Sequence, residues 1–559
     1  MEAQRSILVI GLLIVSFLLW MEYVDFSDPS KTVVDVASET VPGNAQQGFV
    51  PDNNAAGGDG QTGNFVPQSD DAVFEQNLQA QQQNTRLISV TTDTLSIAID
   101  TLGGDVVVVD LLKYPLEQNG DTPYSILNNS EKTFYIAQSG LTGQQGPDQP
   151  SGRMRYIAEQ SSYEMEGDTL VIPMSLTTKD GIEVTKTFSF TSGSHIVDVD
   201  YIIENTSSQP AQVQQYAQLK QTTIAREGGS MFMPIYRGAA YSTQDERYEK
   251  YKFSEFEDDP LRLATIGGWV GMLEHYFVSA WVPPQLESNT LYSSMAGTNA
   301  IIGYTGQAQI IQPGETATIG SKLYAGPKDQ ETLEGLARGL DLTVDYGFLW
   351  WISKPLFELL KFIQSVVINW GLSIIIITLL VKGAMYWLTK KQYESMAKMR
   401  ALAPKLQQLK DRYGEDRQKM SQAMMTLYKK EKVNPMGGCF PLLLQMPIFL
   451  ALYWVLLESV ELRHAEFVFW ITDLSVRDPF FVLPILTGAS MFLLQKLQPM
   501  TIQDPLQQKI FQWMPVAMSI FFFFFPAGLV LYWLVSNVVT LVQAKMIYAS
   551  MEKRGIKTH

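Results

Sequence analysis

A lysine inside an apolar run is the residue of this sequence best placed to do chemistry. Lys382 lies in the stretch 366–388, eight residues before Lys390, the next charge. At about 1.5 Å of rise per helical residue, that separation is roughly 12 Å of membrane depth. Thr378 falls one turn earlier on the same helical face, with Gly371 and Thr389 near that line. A small, polar stripe on a membrane helix faces water or protein rather than lipid. Two readings fit Lys382: a charge snorkelling to the interface, or a cation held inside the membrane as host for an acidic group. The second has company. Gln445 lies in another apolar run, and Trp533, Ser536, Asn537 and Thr540 share one face of the last run. Singly, such residues are glue between membrane helices. Together with the lysine they describe a polar groove.

Other chemistry is poorly supplied. There is one cysteine, Cys439, and the four histidines, His195, His275, His464 and His559, lie far apart. No intramolecular disulfide can form, and no spacing resembles a metal site. In the acidic outer region the only close carboxylate–imidazole pair is Glu274-His275, and consecutive strand residues point to opposite faces. The chain is therefore read as a non-enzyme, with no catalytic residue, cofactor or metal expected. A net charge of −15 argues against nucleic-acid binding by the whole surface.

The elements that must position Lys382 follow from how charge is partitioned. Residues 21–350 carry 18 Lys and Arg against 43 Asp and Glu, whereas residues 389–438 carry 12 against 5. Apolar runs at 7–20, 366–388, 440–457, 480–497, 510–525 and 528–547 surround these blocks. The first has no small-residue cleavage site after it and reads as an uncleaved anchor. Several of the others fall short of the ~20 residues that cross a ~30 Å hydrocarbon core, so they thin the bilayer or form a shallow bundle. The last two are separated only by Pro526-Ala527-Gly528, which makes them a tight hairpin.

Orientation follows from the bias of basic residues. The 389–438 loop, the loop around Lys496 and Lys509, and the tail with Lys545, Lys553, Arg554 and Lys557 fall on one side if the spans alternate. That side is the cytoplasm. The acidic loop 458–479 and the large acidic region lie outside, giving six spans with both ends inside. The resulting division is an anchor (1–24), a flexible periplasmic tether (25–85), a β domain (86–345) and an interfacial amphipathic helix (346–365). There follow span two (366–388), a basic helical hairpin (389–438), four spans with short loops (439–547) and a basic tail (548–559).

Alternating apolar and polar residues at 87–91, 94–100, 169–177, 182–190 and 196–203, with turn residues between them, read as a large β-sandwich. A sandwich of that size suits a carbohydrate-binding or glycan-active domain. Scattered surface acids are the plainer reading of its carboxylates. The hairpin reads as two helices, 391–413 and 415–432, broken at Gly414, with Met420, Met424, Leu427 and Tyr428 on one face. A methionine surface adapts to varied apolar partners. The same loop also reads as positive-inside charge with ordinary packing.

Four segments, 340–346 (LDLTVDY), 369–378 (NWGLSIIIIT), 432–452 (KVNPMGGCFPLLLQMPIFLAL) and 525–537 (FPAGLVLYWLVSN), resemble the YidC membrane protein insertases. So do 139–150 (SGLTGQQGPDQP), 237–253 (RGAAYSTQDERYEKYKF) and 267–270 (GGWV) in the outer region. The tether 21–85 carries no such resemblance. The resemblance implies a multi-pass helical protein of the bacterial inner membrane, with a periplasmic β-supersandwich and a five-helix core. That core encloses a hydrophilic groove open to cytoplasm and lipid. It implies insertion and folding of nascent inner-membrane proteins in the phospholipid bilayer, alone or beside the Sec translocon and its accessory subunits. The hairpin 389–438 would then meet the ribosome or the signal recognition machinery. The implied groove lining or client contact is Thr378, Gly371, Gln445, Met446, Tyr532, Trp533, Ser536, Asn537 and Thr540, with Lys382 as the groove charge. This chain departs from the family where arginine is usual: Lys382 keeps the charge and loses the bidentate fork. The usual tyrosine pair of the last span is Tyr532-Trp533 here.

A transporter using Lys382 as an ion or substrate site would need repeats among its spans, and none is visible. A membrane-anchored glycan-binding protein and a passive assembly scaffold are the other readings. A scaffold would tolerate neutralising the lysine.

Overall fold

The computed structural model describes residues 86–130, 133–149, 152–224, 236–413, 416–431, 440–497 and 505–554. The expected anchor at 7–20, the tether, Gly414 and the hairpin's end at 434–438 lie outside the described residues. The chain divides into two units, with the boundary in sequence between Val344 and Asp345.

The first unit is a β-sandwich. Its strands begin where the alternation begins, at Leu87–Thr91 and Leu95–Asp100, and Ile182–Thr191 and Ile196–Asn205 form a long antiparallel pair. In that pair Val184, Lys186, Phe188, Phe190, Val197, Val199, Tyr201 and Ile203 share the buried face, while the residues alternating with them are half-buried or exposed. One sheet has ten described strands and the other nine. Ala211–Thr222, paired with Tyr135–Thr142 and Asn299–Ile311, lies inside the first sheet. Phe277–Val282 belongs to the second, and its Trp281 donates the indole N–H to Gln218 O of the first at 3.1 Å. Short helices α1 (Glu255–Asp258) and α2 (Gln330–Leu336) complete the unit.

Two buried cations inside the sandwich are held by several oxygens each, as burial requires. Lys186, wholly buried, donates to Gly103 O (3.1 Å), Gly104 O (2.7 Å) and Ser139 O (3.0 Å). Arg153 bridges Asp105 and Asp148 at 2.5 and 3.4 Å. A Cβ at Gly104, whose φ is +67°, would stand 2.9 Å from the Lys186 stem. Glycine there serves both the turn and the lysine.

The second unit is helical: α3 (Trp350–Val367), α4 (Trp370–Ala384), α5 (Tyr386–Ala401), α6 (Ala403–Tyr413) and α7 (Arg417–Lys430), then α8 (Phe440–Glu458), α9 (Val482–Leu497), α10 (Pro505–Phe521) and α11 (Ala527–Glu552). Three sequence expectations change here. The run 366–388 is not one helix. Ile368, at φ +55°, ends α3, and the Asn369 side chain caps α4 by accepting from Leu372 N at 2.9 Å. The run then bends by 61° between α4 and α5. The first arm of the hairpin is also two helices: α6 restarts at Ala403, which puts Pro404 in its first turn, where the missing N–H costs nothing. The last helix continues to Glu552, past the expected end at 547.

Among the described residues one helix, α11, is long and apolar enough to cross a membrane, and α4 with α5 passes the same test as a bent pair. Apolar stretches Gln445–Glu458, Val482–Leu497 and Gln512–Phe524 are shorter. The 16 residues of α9 reach about 24 Å, short of a ~30 Å hydrocarbon core.

Candidate functional site

Lys382 occupies the last turn of α4 and is 7% exposed. Its ammonium donates to Thr540 Oγ1 on α11 at 3.1 Å, and Thr540 in turn donates to Ser536 O at 2.7 Å. Thr378, one turn earlier on α4, is fully buried and donates to Ile374 O at 2.6 Å. A buried hydroxyl satisfied within its own helix leaves no polar group demanding water. The apolar residues Leu379 and Leu380 between them are about half exposed, as a lipid-facing side requires.

The polar face of α11 is shared between two neighbours. Thr540 faces α4, whereas Asn537 donates its amide to Ser490 Oγ on α9 at 3.0 Å. Ser490 passes its own proton to Thr487 O at 2.7 Å. Near the start of α11, Trp533 lies edge-on to Phe449 of α8 (4.5 Å) and to Phe522 (4.7 Å), while the buried Tyr532 stacks on Phe449 at 5.8 Å. Gln445 and Met446 sit one turn before Phe449 on α8, half-buried and exposed respectively. The structure thus joins α11 to α4, α8 and α9, through Lys382 on α4 and through Phe449 and Ser490, which the sequence reading did not single out, on α8 and α9.

Gly371, which helical spacing puts near the line of Thr378 and Lys382, is the second residue of α4. It stands at the far end of α4 from Lys382, where a Cβ would lie 2.1 Å from the Phe467 ring. It permits close packing of the loop rather than lining a polar face. Thr389 lies beyond the bend, donating to Met385 O at 3.2 Å, off the line of Lys382. Glu274 accepts from Tyr124 Oη at 2.5 Å while His275 stacks on Tyr276, so that pair turns to separate partners.

The loop holding Phe467 braces the helix ends opposite Lys382. Asn369 donates to Phe467 O (3.2 Å), Ala527 N to Val476 O (2.7 Å) and Gly528 N to Leu474 O (2.9 Å). The buried Asp478 accepts from Trp470 Nε1 (3.0 Å), Phe480 N (3.0 Å) and Leu483 N (2.7 Å), opening α9. Sequence reasoning missed this brace, and it missed two residues of the seam. Gln543 donates to Lys382 O at 3.0 Å and lies three positions after Thr540, so helical spacing alone placed it on the same face. Ser490 carried no comparable signal.

On α7, Met420, Met424, Leu427 and Tyr428 are each half-buried. Lys405 of α6 pairs with Glu431 at 2.6 Å. Helix α5 is held to the end of α11 by an edge-on Tyr393–Tyr548 pair at 5.5 Å and by Arg554–Glu394 at 2.7 Å.

Two family models match this chain: the YidC periplasmic domain over residues 87–359 and the 60Kd inner membrane protein over residues 362–554. A membrane protein insertase YidC of Pseudoalteromonas atlantica is 61% identical over 560 residues, covering 100% of both chains. One from Shewanella piezotolerans is 53% identical over 564 residues, again covering 100% of both. A solved structure of an active YidC insertase aligns with 83% of this chain and 92% of its own, at 17% identity and a TM-score of 0.36, too loose a likeness to bear on this chain.

Proposed function

The chain belongs to the YidC family of membrane protein insertases, and from that membership we propose that it inserts inner-membrane proteins along a hydrophilic groove charged by Lys382. It is a membrane protein insertase of the inner membrane; the groove, its lining and its orientation are this proposal. The observation that carries it is a lysine 7% exposed in an apolar helix, its ammonium shared with Thr540 of a second helix. A buried cation with no carboxylate partner among the described residues carries a desolvation cost, which an acidic group entering the groove would offset.

The physical outline is short. A client helix arrives with a hydrophilic tail that must cross the bilayer. A groove reaching partway across shortens the apolar barrier, and short helices such as α9 thin the lipid around it. Lys382 offsets part of the cost of desolvating an acidic tail. The membrane potential, positive outside, favours outward passage of each negative charge by about 2.3 kcal/mol per 100 mV. The client's apolar segment then leaves into lipid past α8 and α10, releasing hydrophobic free energy. Positions Thr378, Gln445, Met446, Tyr532, Trp533, Ser536, Asn537 and Thr540 would line its path, with Gly371 setting the packing at the closed end.

The same reading takes the chain as six spans with both termini in the cytoplasm and a five-helix core. Its β-sandwich is periplasmic, and α3 lies in the interface with Trp350, Trp351, Phe362 and Val366 exposed. The Sec translocon and, through the basic hairpin, the ribosome or signal recognition machinery are its proposed partners.

The test is complementation of a Gram-negative strain depleted of its own insertase, with wild type, Lys382→Arg, Lys382→Ala and Lys382→Glu at matched expression. Protease accessibility is read for a single-span client with an acidic translocated tail and for one with a neutral tail. Wild type and Arg inserting the acidic client while Ala and Glu fail supports the charged groove. Equal insertion by all four returns Lys382 to an interfacial charge.

A further inference from the structure

Carbonyls in the last turn of a helix have no following turn to bond to, and Lys382 lies in the last turn of α4. Gln543 donates to the Lys382 carbonyl from α11 at 3.0 Å. Gln543 is 7% exposed, and its side-chain oxygen is buried with no partner among the described residues. One turn earlier on α11, Thr540 holds the ammonium of the same lysine. One turn later, Ile547 and Tyr548 pack with Tyr393 and Ala397 of α5, on the other side of the 61° bend. Helix α11 therefore lies along the bend as a splint. It grips α4 through Thr540 and Gln543, and α5 through Ile547 and Tyr548.

We propose that Gln543 is the positioning residue for Lys382. By capping that lysine's own carbonyl it sets the bend between α4 and α5, and so fixes the depth and direction of the ammonium offered to an acidic client. The inference rests on the reading of Lys382 as the groove charge. Gln543 acts through Lys382 and touches no client. A side chain of equal length without a donor leaves the carbonyl buried and unpaired, and the bend loses its fixed angle.

The experiment uses the full chain in the depleted strain, with the acidic-tail and neutral-tail clients as probes. The variants are Gln543→Met, Gln543→Glu, Lys382→Ala and Lys382→Ala with Gln543→Met. Both Gln543 variants are expected to accumulate normally and to lower acidic-tail insertion by roughly threefold to tenfold, the scale of one buried hydrogen bond. Neutral-tail insertion is expected to hold. In the Lys382→Ala background, Gln543→Met is expected to add no further loss, which a merely structural role would not produce. Equal loss for both clients, an undiminished loss in the Lys382→Ala background, or no loss at all while Lys382→Ala is selective would each overturn the inference. Failure of both Gln543 variants to accumulate overturns it too, since Gln543 would then hold the fold rather than aim the charge. If Lys382→Ala itself treats the two clients alike, the groove reading has failed, and this inference falls with it.

Discussion

Lys382 and Thr540 stand 3.1 Å apart in space and 158 residues apart in sequence. The contact joins the only lysine buried within α4 to the face of α11 that carries Ser536 and Asn537. The threonine hydroxyl accepts from the ammonium and passes its own proton to Ser536 O. The charge is thereby tied to the backbone of a neighbouring helix with no anion consumed. An ammonium held by a neutral acceptor stays available to a carboxylate that arrives later.

Replacing Thr540 tests that availability. Thr540→Val keeps the shape and removes the acceptor, so the ammonium loses a hydrogen bond worth about 1.5–3 kcal/mol. Thr540→Ser keeps the bond. Acidic-tail insertion, read by protease accessibility, is expected to fall in the valine variant and to stay near wild type in the serine one. Equal behaviour of the two would remove Thr540 from the seam.

Gly371 and Phe467 make a packing prediction. A Cβ at 371 would lie 2.1 Å from the Phe467 ring, an overlap that shifts the loop or the helix at a cost of about 1–3 kcal/mol. Gly371→Ala is expected to lower the Tm of the detergent-purified chain by a few degrees. Adding Phe467→Ala is expected to recover part of that loss, because the two changes share one contact. Additive losses would show that the glycine serves something other than room for the ring.

Much of this was legible in the sequence, for reasons that differ by element. Strands such as 182–191 and 196–205 announce themselves because one face is buried and the side-chain period is two. The stripe through Thr378 and Lys382 was legible because the helical period fixes which residues share a face. The bend between α4 and α5 was not. No proline marks it, and what fixes it is Gln543 and Tyr548, more than 150 residues away. What packs beside Gly371 was not legible, because the Phe467 ring comes from a loop distant in sequence. The split at Leu402 is marked in the sequence by Pro404, although the polar pattern runs on across it.

The outer loop yields a prediction about α9. Asp478 accepts from two backbone amides and the Trp470 indole, opening the helix that begins at Val482. Losing such a cap costs about 0.5–2 kcal/mol, and here the half-buried Trp470 indole N–H loses its acceptor as well. Hydrogen exchange at residues 480–486 is expected to quicken several-fold in Asp478→Ala and less in Asp478→Asn, which keeps one acceptor oxygen. Unchanged protection in the alanine variant would mean that packing alone opens α9.

In the β-sandwich, His195 gives the stability a pH dependence with a definite sign. Burial, and secondarily the charge of Lys113, push its pKa from the usual 6.5 down to about 4, against the opposing pull of Asp93 and Asp329. Its Nε2 is buried with no partner among the described residues, and its ring stands near those of Tyr114 and Tyr324. Between pH 6.5 and 4 the unfolded chain binds a proton at His195 that the folded chain does not. Stability from this residue is therefore complete above about pH 6.5 and is lost as the pH falls toward 4. The Tm of the full chain in detergent is expected to drop further between pH 7 and pH 4.5 for wild type than for His195→Gln. Titrations of groups that do not interact with His195 cancel in that difference. Parallel pH profiles for the two proteins would show that the imidazole is protonated in the folded domain at no cost.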